Sequence, residues 1–152
     1  HDEPARGLEN LCLPLAVWIA RQNGEIRHLA PVVGAVDYFA THHKEPGFQV
    51  QLLSLTEEIM KATSPRLAEE NVHNPDRPWR RLILNRAMIA TRSLDPDLME
   101  PAFDSVVELL PSDAADFFEE GMQHMDVYDY PEKVRQVMIR YHQAFGPKRI
   151  LH

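Results

Sequence analysis

Asp95-Pro96-Asp97-Leu98-Met99-Glu100-Pro101-Ala102-Phe103-Asp104-Ser105-Val106-Val107-Glu108-Leu109-Leu110 is the stretch on which the fold class turns. Asp is a favoured helix N-cap, because its carboxylate accepts from the free amides of the first turn. Pro96 follows at the first helical position, where its missing N–H costs nothing. Ala102, Phe103, Val106, Val107 and Leu110 then recur at steps of three and four, so they share one face of a helix.

The same spacing continues outward from this helix, which is the fifth in chain order. Toward the C-terminus, Ser112 reads as the cap of a sixth helix carrying Phe117, Phe118, Gly121, Met122 and Met125. Asp126 to Tyr130 read as a connector. Pro131 opens a seventh helix with Val134, Val137, Met138, Tyr141 and Phe145 inward, and Gly146-Pro147 stops it. Toward the N-terminus, Trp79, Leu82, Ile83, Arg86, Ile89 and Ala90 mark a fourth helix, and Phe48, Leu52, Leu55 and Ile59 a third. Ser64-Pro65 reads as cap and first residue of a short piece reaching about Asn71. Leu29, Val32, Val33, Val36 and Phe39 mark a second helix. Leu8, Leu11, Cys12, Leu15, Trp18 and Ile19 mark a first, stopped at Asn23-Gly24. No segment alternates with period two between turns.

The expectation is an all-α fold of about seven short antiparallel helices, in a compact bundle or a repeat-like array of helical hairpins. It forms one domain over 1–152, within which the loop His73-Asn74-Pro75-Asp76-Arg77-Pro78 offers a division into halves 1–73 and 77–152. A slide of seventy residues pairs Leu29 with Met99, Pro31 with Pro101 and Val36 with Val106. A duplication would give these matches, and so would chance among amphipathic helices of equal length.

Composition sets the outer limits. A chain of 152 residues has the size of one domain, and 44% apolar with 26% charged residues excludes wholesale disorder. No apolar run approaches the roughly 20 residues of a membrane span. The chain starts at His1, as a processed or trimmed start would. Cys12 is the single cysteine, which excludes an internal disulfide and a zinc site built on cysteines. One cysteine fits a reducing, cytoplasmic compartment. The net charge of −7 argues against affinity for nucleic acid and for anionic membranes.

Charge is arranged in blocks. Between Ser93 and Glu132 there is no Lys or Arg, while Asp95, Asp97, Glu100, Asp104, Glu108, Asp113, Asp116, Glu119, Glu120, Asp126, Asp129 and Glu132 all fall there. Arg77, Arg80, Arg81, Arg86 and Arg92 precede this block; Lys133, Arg135, Arg140, Lys148 and Arg149 follow it. Neighbouring helices can pair such blocks, at about 0 to 1 kcal/mol per exposed pair. Alternatively, the acidic fifth and sixth helices form a docking face. A nucleic-acid footprint on Arg77 to Arg92, with Trp79 between arginines, is a third reading.

Reactive motifs are sparse. Glu25-x-x-His28 and Glu70-x-x-His73 have the Glu/His spacing of carboxylate-bridged metal sites, which would set both side chains on one helical face. Met122-Gln123-His124-Met125 contains soft ligands, though its methionines lie on an apolar stripe. No nucleophile elbow or glycine-rich phosphate loop occurs, and no motif calls for a cofactor.

The leading expectation is a non-enzymatic interaction or scaffold module for a protein partner with a basic surface, a second copy included. Its contact residues are Asp104, Glu108, Asp116, Glu119, Glu120, Tyr128 and Tyr130. One alternative is a helical pocket for a small apolar ligand, lined by Trp18, Phe39, Phe103, Phe118, Met122 and Tyr141. The other is a metal-dependent enzyme using Glu25, His28, Glu70 and His73.

Overall fold

The computed structural model of the chain describes residues 24–63, 65–68 and 77–148, together with Pro14, Ala16, Val17, Trp18, Ala20 and Arg21, which are helical. The chain is all-α. Among the described residues, the helices with defined bounds are α1 (Leu29–His42), α2 (Pro46–Ala62), α3 (Pro65–Ala68), α4 (Pro78–Arg92), α5 (Pro96–Leu109), α6 (Pro111–Val127) and α7 (Glu132–Phe145). Cys12, most of the first apolar stripe, Ser64 and the loop from His73 to Asp76 lie outside the described residues.

Proline punctuates this fold. Pro46, Pro65, Pro78, Pro96 and Pro111 each stand as the first residue of a helix, where the fixed φ suits the first turn and no amide is needed. Before Pro96, the Asp95 carboxylate accepts from the Asp97 amide at 2.9 Å, the capping expected. Three boundaries differ from expectation. Ser112 does not cap α6; that helix begins one residue earlier at Pro111, with Leu110 as an N-cap that offers no side-chain bond. Asp126 and Val127 continue α6, so the connector shrinks to four residues, Tyr128 to Pro131. Pro131 precedes α7 as its N-cap rather than opening it.

The turn from α4 into α5 rests on Leu94, whose φ of 61° is left-handed. That conformation costs a side-chain-bearing residue roughly 1 to 2 kcal/mol. The Ser93 amide reaches Ile89 O at 3.0 Å and the Leu94 amide reaches Thr91 O at 3.2 Å, so the end of α4 is hydrogen-bonded through the turn.

α4 is the central helix. It packs on α1, α2 and α5, while α5, α6 and α7 pack on one another. Leu82, Ile83, Ala87, Ile89 and Ala90 of α4 are wholly buried, and the apolar faces of all the long helices join one continuous core. Each fully buried large aliphatic or aromatic side chain contributes about 1.5–3 kcal/mol of transfer free energy. Along α6 and α7 the contacts Phe118–Phe145, Gly121–Met138 and Met125–Arg135 run in opposite order, so this pair is antiparallel. Trp18 departs from its expected inward place: it is 61% exposed. Pro31 and Pro101 are not equivalent. Pro31 lies in the first turn of α1, where no amide donor is required, whereas Pro101 lies inside α5 and removes one. No described helix is long and apolar enough to cross a membrane.

Candidate functional site

The basic side chains of α4 turn to acids and carbonyls of other helices. Arg80 donates to both oxygens of Asp113, from Nε at 3.0 Å and Nη2 at 2.6 Å. That hydrogen bond, against the opposing effect of burial, holds the Asp113 carboxyl below its usual range. Arg86 donates from Nε and Nη2 to Glu57 Oε2 at 3.0 and 2.6 Å, and from Nη1 to Ser105 Oγ at 2.9 Å, joining α2, α4 and α5. Arg81 reaches Asp37 at 2.5 Å, and Arg92 donates to Ala40 O at 2.9 Å. On α7, Arg140 pairs with Glu100, and Arg135 donates to Met125 O.

The expected contact residues divide under this pairing. Asp104 accepts from the Tyr141 hydroxyl at 2.6 Å, and Glu119 stands 3.4 Å from His142 Nε2. Glu108, Asp116 and Glu120 are exposed and have no hydrogen bond or ion pair among the described residues. Tyr128 is exposed, with its ring 4.5 Å from that of His124, and the Tyr130 hydroxyl lies 2.8 Å from His124 Nε2.

Tyr130 and Glu120 also line a half-open cavity of about 200 Å³ between α4, α6 and α7. α4 supplies Met88, Thr91 and Arg92; α6 supplies Phe117, Gly121 and His124; α7 supplies Met138. Gly121 lets α7 approach here. A Cβ on it would meet Met138 Sδ and Cε at 2.6 Å, inside van der Waals contact. The Thr91 hydroxyl bonds back to Ala87 O at 2.9 Å, so it makes no demand on the cavity. Burial first, and the Arg92 charge second, lower the pKa of His124. Burial raises that of Tyr130, opposed by Arg92. Both groups are therefore held neutral near pH 7. The site combines an apolar hollow, a neutral hydrogen-bonded pair at its edge, a guanidinium on its wall and a carboxylate on its rim. Chemically, such a lining suits an apolar group more than a charged one.

Among the described residues, the side chains expected to line a ligand pocket are found in different places. Phe103 meets Phe118 and Tyr141 edge to face, Phe118 and Tyr141 are tilted against each other, and the three rings, with centroids 5.2–5.5 Å apart, fill the core between α5, α6 and α7. Met122 packs against that core. Trp18 and Phe39 line a separate, wider groove of about 580 Å³ with Pro14, Val17, Arg21 and Leu55. Phe117 and Gly121, the immediate neighbours of Phe118 and Met122, reach the α4–α6–α7 cavity instead.

The first Glu-x-x-His pair is not on a helix. Residues 24–28 are non-helical and are tied by the Ile26 amide to Ala62 O at 2.8 Å, so Glu25 and His28 do not share a helical face. The bridge of Ile26 to Thr63 holds this segment against the end of α2. Glu70 and His73 lie outside the described residues. Among the described residues, no three His, Cys, Asp or Glu side chains gather to hold a metal ion.

No protein-family model matches the chain, and no curated protein and no solved structure is significantly similar to it.

Proposed function

We propose that this chain is a non-enzymatic interaction module whose outer α5–α6 face receives a partner with a basic surface. The observation that carries this reading is the asymmetry of pairing. The arginines of α4 are engaged within the fold, while Glu108, Asp116 and Glu120 are exposed and form no ion pair among the described residues, although Arg92 lines the same cavity as Glu120. Leu109, next to Glu108 in the chain, and Val127 and Tyr128 at the end of α6 are exposed and suit a contact that is partly apolar. The single cysteine is compatible with a reducing compartment such as the cytoplasm.

Rim charges act chiefly on encounter rate and orientation, and salt screens them over about 8–10 Å. The test is therefore a salt series. A lysine- and arginine-rich peptide is titrated into the native chain and into the variant E108K/D116K/E120K. The native chain binds more weakly with each increase in salt, and the variant loses that dependence together with most of its affinity. Equal affinity and equal salt dependence in the two proteins overturn the reading.

The cavity favours a second reading, a binding protein for a small apolar ligand. Its volume of about 200 Å³ falls below the roughly 300–1,000 Å³ of typical ligand pockets. Native mass spectrometry of freshly purified protein would reveal a retained compound; its absence favours the interaction module.

A further inference from the structure

We propose that the α4–α6–α7 cavity is an anchor pocket for one aromatic ring, supplied as a phenylalanine-type side chain of the basic partner segment. The proposal rests on the acidic-face reading and names what that face grips.

Volume points to a single ring. The cavity holds about 200 Å³, and a dry apolar cavity of about 150 Å³ already accommodates benzene. A drug-sized molecule does not fit, and a methyl group leaves most of the space empty. The wall chemistry points to an aromatic rather than an aliphatic group. Two methionines (Met88 and Met138), an aromatic ring (Phe117) and an arginine (Arg92) are among the lining residues. Each of these makes a favourable contact with a π-system beyond area burial alone. The Arg92 guanidinium is held in place by its bond to Ala40 O, so little side-chain freedom remains to be lost when a ring stacks on it. Charge points to a basic carrier. The cavity itself holds one charge of each sign, Arg92 and the exposed Glu120; Asp116, exposed one helical turn before Glu120 on α6 and without an ion pair among the described residues, tips the approach to it toward negative. A cationic residue flanking the ring would meet these carboxylates as the ring enters. Interfaces place their largest energies in such pockets, where a partner aromatic is desolvated inside a polar rim.

The experiment uses the whole chain and two peptides, both rich in Lys and Arg. One carries a single Phe; the other is identical except for Phe→Ala. Affinities come from calorimetry, and amide chemical shifts locate the contact. The expected result is that the Phe peptide binds about tenfold or more tightly than the Ala peptide, and that it shifts the Gly121 and His124 signals. Gly121→Leu fills the cavity and removes that preference while leaving the weak, salt-dependent binding of the Ala peptide. Should that variant not fold, Gly121→Ala displaces the Met138 tip more gently and reduces the preference.

Phe and Ala peptides binding alike, both with salt dependence, overturn the pocket and leave the acidic face standing. The Phe preference surviving intact in folded Gly121 variants also overturns it. Neither peptide binding overturns the acidic-face reading and this proposal with it. In that case toluene shifting Gly121 and His124 marks the cavity as a site for a free ring instead.

Discussion

Arg86→Met offers a quantitative test of how the basic block is used. The side chain is 14% exposed and makes three hydrogen bonds, two to Glu57 and one to Ser105. Hydrogen bonds to charged groups contribute roughly 1.5–3 kcal/mol each. Removing one member of a fully buried pair costs about 3–5 kcal/mol, because the other charge is stranded. Glu57 is 37% exposed, however, so its carboxylate regains water and the full penalty does not arise. Methionine retains most of the apolar stem volume that arginine buries. The expected loss is therefore about 1.5–2.5 kcal/mol, or roughly 3–10 °C in Tm for a chain of this size. A double-mutant cycle with Glu57→Gln isolates the coupling, expected near 1–2 kcal/mol. The Arg21–Glu58 pair, 61% and 38% exposed, serves as the surface reference and should couple by less than about 0.5 kcal/mol. Urea unfolding with equal m-values measures both cycles. Equal couplings, or an Arg86→Met loss below about 0.5 kcal/mol, would refute the view that α4 arginines are structural.

Other perturbations follow from the same geometry. Gly121→Ala gains about 0.5–1 kcal/mol of helix propensity and forces the Met138 tip into the adjoining cavity, so stability should hold within about 1 kcal/mol; a loss above about 3 kcal/mol in urea unfolding would mean that Met138 has nowhere to go. Pro101→Ala restores an amide donor inside α5 and should raise stability by about 1 kcal/mol, partly offset by greater freedom of the unfolded chain; an unchanged or lowered melting temperature contradicts this. Tyr141→Phe removes the bond to exposed Asp104 and should cost about 0.5–1.5 kcal/mol in the same assay, with a cost near zero excluding any stabilising role for that bond. For His124, burial and Arg92 depress the folded pKa below the ordinary 6.5. The unfolded chain then binds the proton more readily, so the stability from neutral His124 is complete above pH 6.5 and declines as pH falls toward the depressed value. His124→Gln should flatten the dependence of melting temperature on pH across that window, and an unaltered slope would show that His124 titrates normally.

Much of the architecture was legible in the residues. Asp95-Pro96 marked the start of α5 because cap chemistry and proline geometry are local properties. The stripes of α1, α4 and α7 mark most of their buried faces because period 3.6 is a local signal as well; Phe145, expected inward at the end of α7, is instead 41% exposed. What escaped was non-local or ambiguous by one position. Leu94 adopts a left-handed turn that sequence reading assigns to glycine; its strain is accepted because tertiary packing directs α5 back over α4. Phe117 and Phe118 are adjacent and equally apolar, and only the seating of α7 decides that Phe118 enters the core while Phe117 lines the cavity. Arg92, His124 and Met138 come from three helices, so no spacing along the chain announces their meeting. Gly121 falls on an apolar stripe of the sequence, but its role as the point of close approach to Met138 depends on where the partner helix packs. The charge blocks were plain, yet the distinction between paired and unpaired acids is a property of packing alone.

An amide chemical-shift map of the native chain on addition of the Phe-bearing basic peptide tests the central claim most directly. Perturbed signals should gather on α5 and α6 at Glu108, Asp116 and Glu120, and continue to Gly121, His124 and Tyr130. Perturbations scattered evenly over the chain, or gathered on α1 and α2, would contradict it.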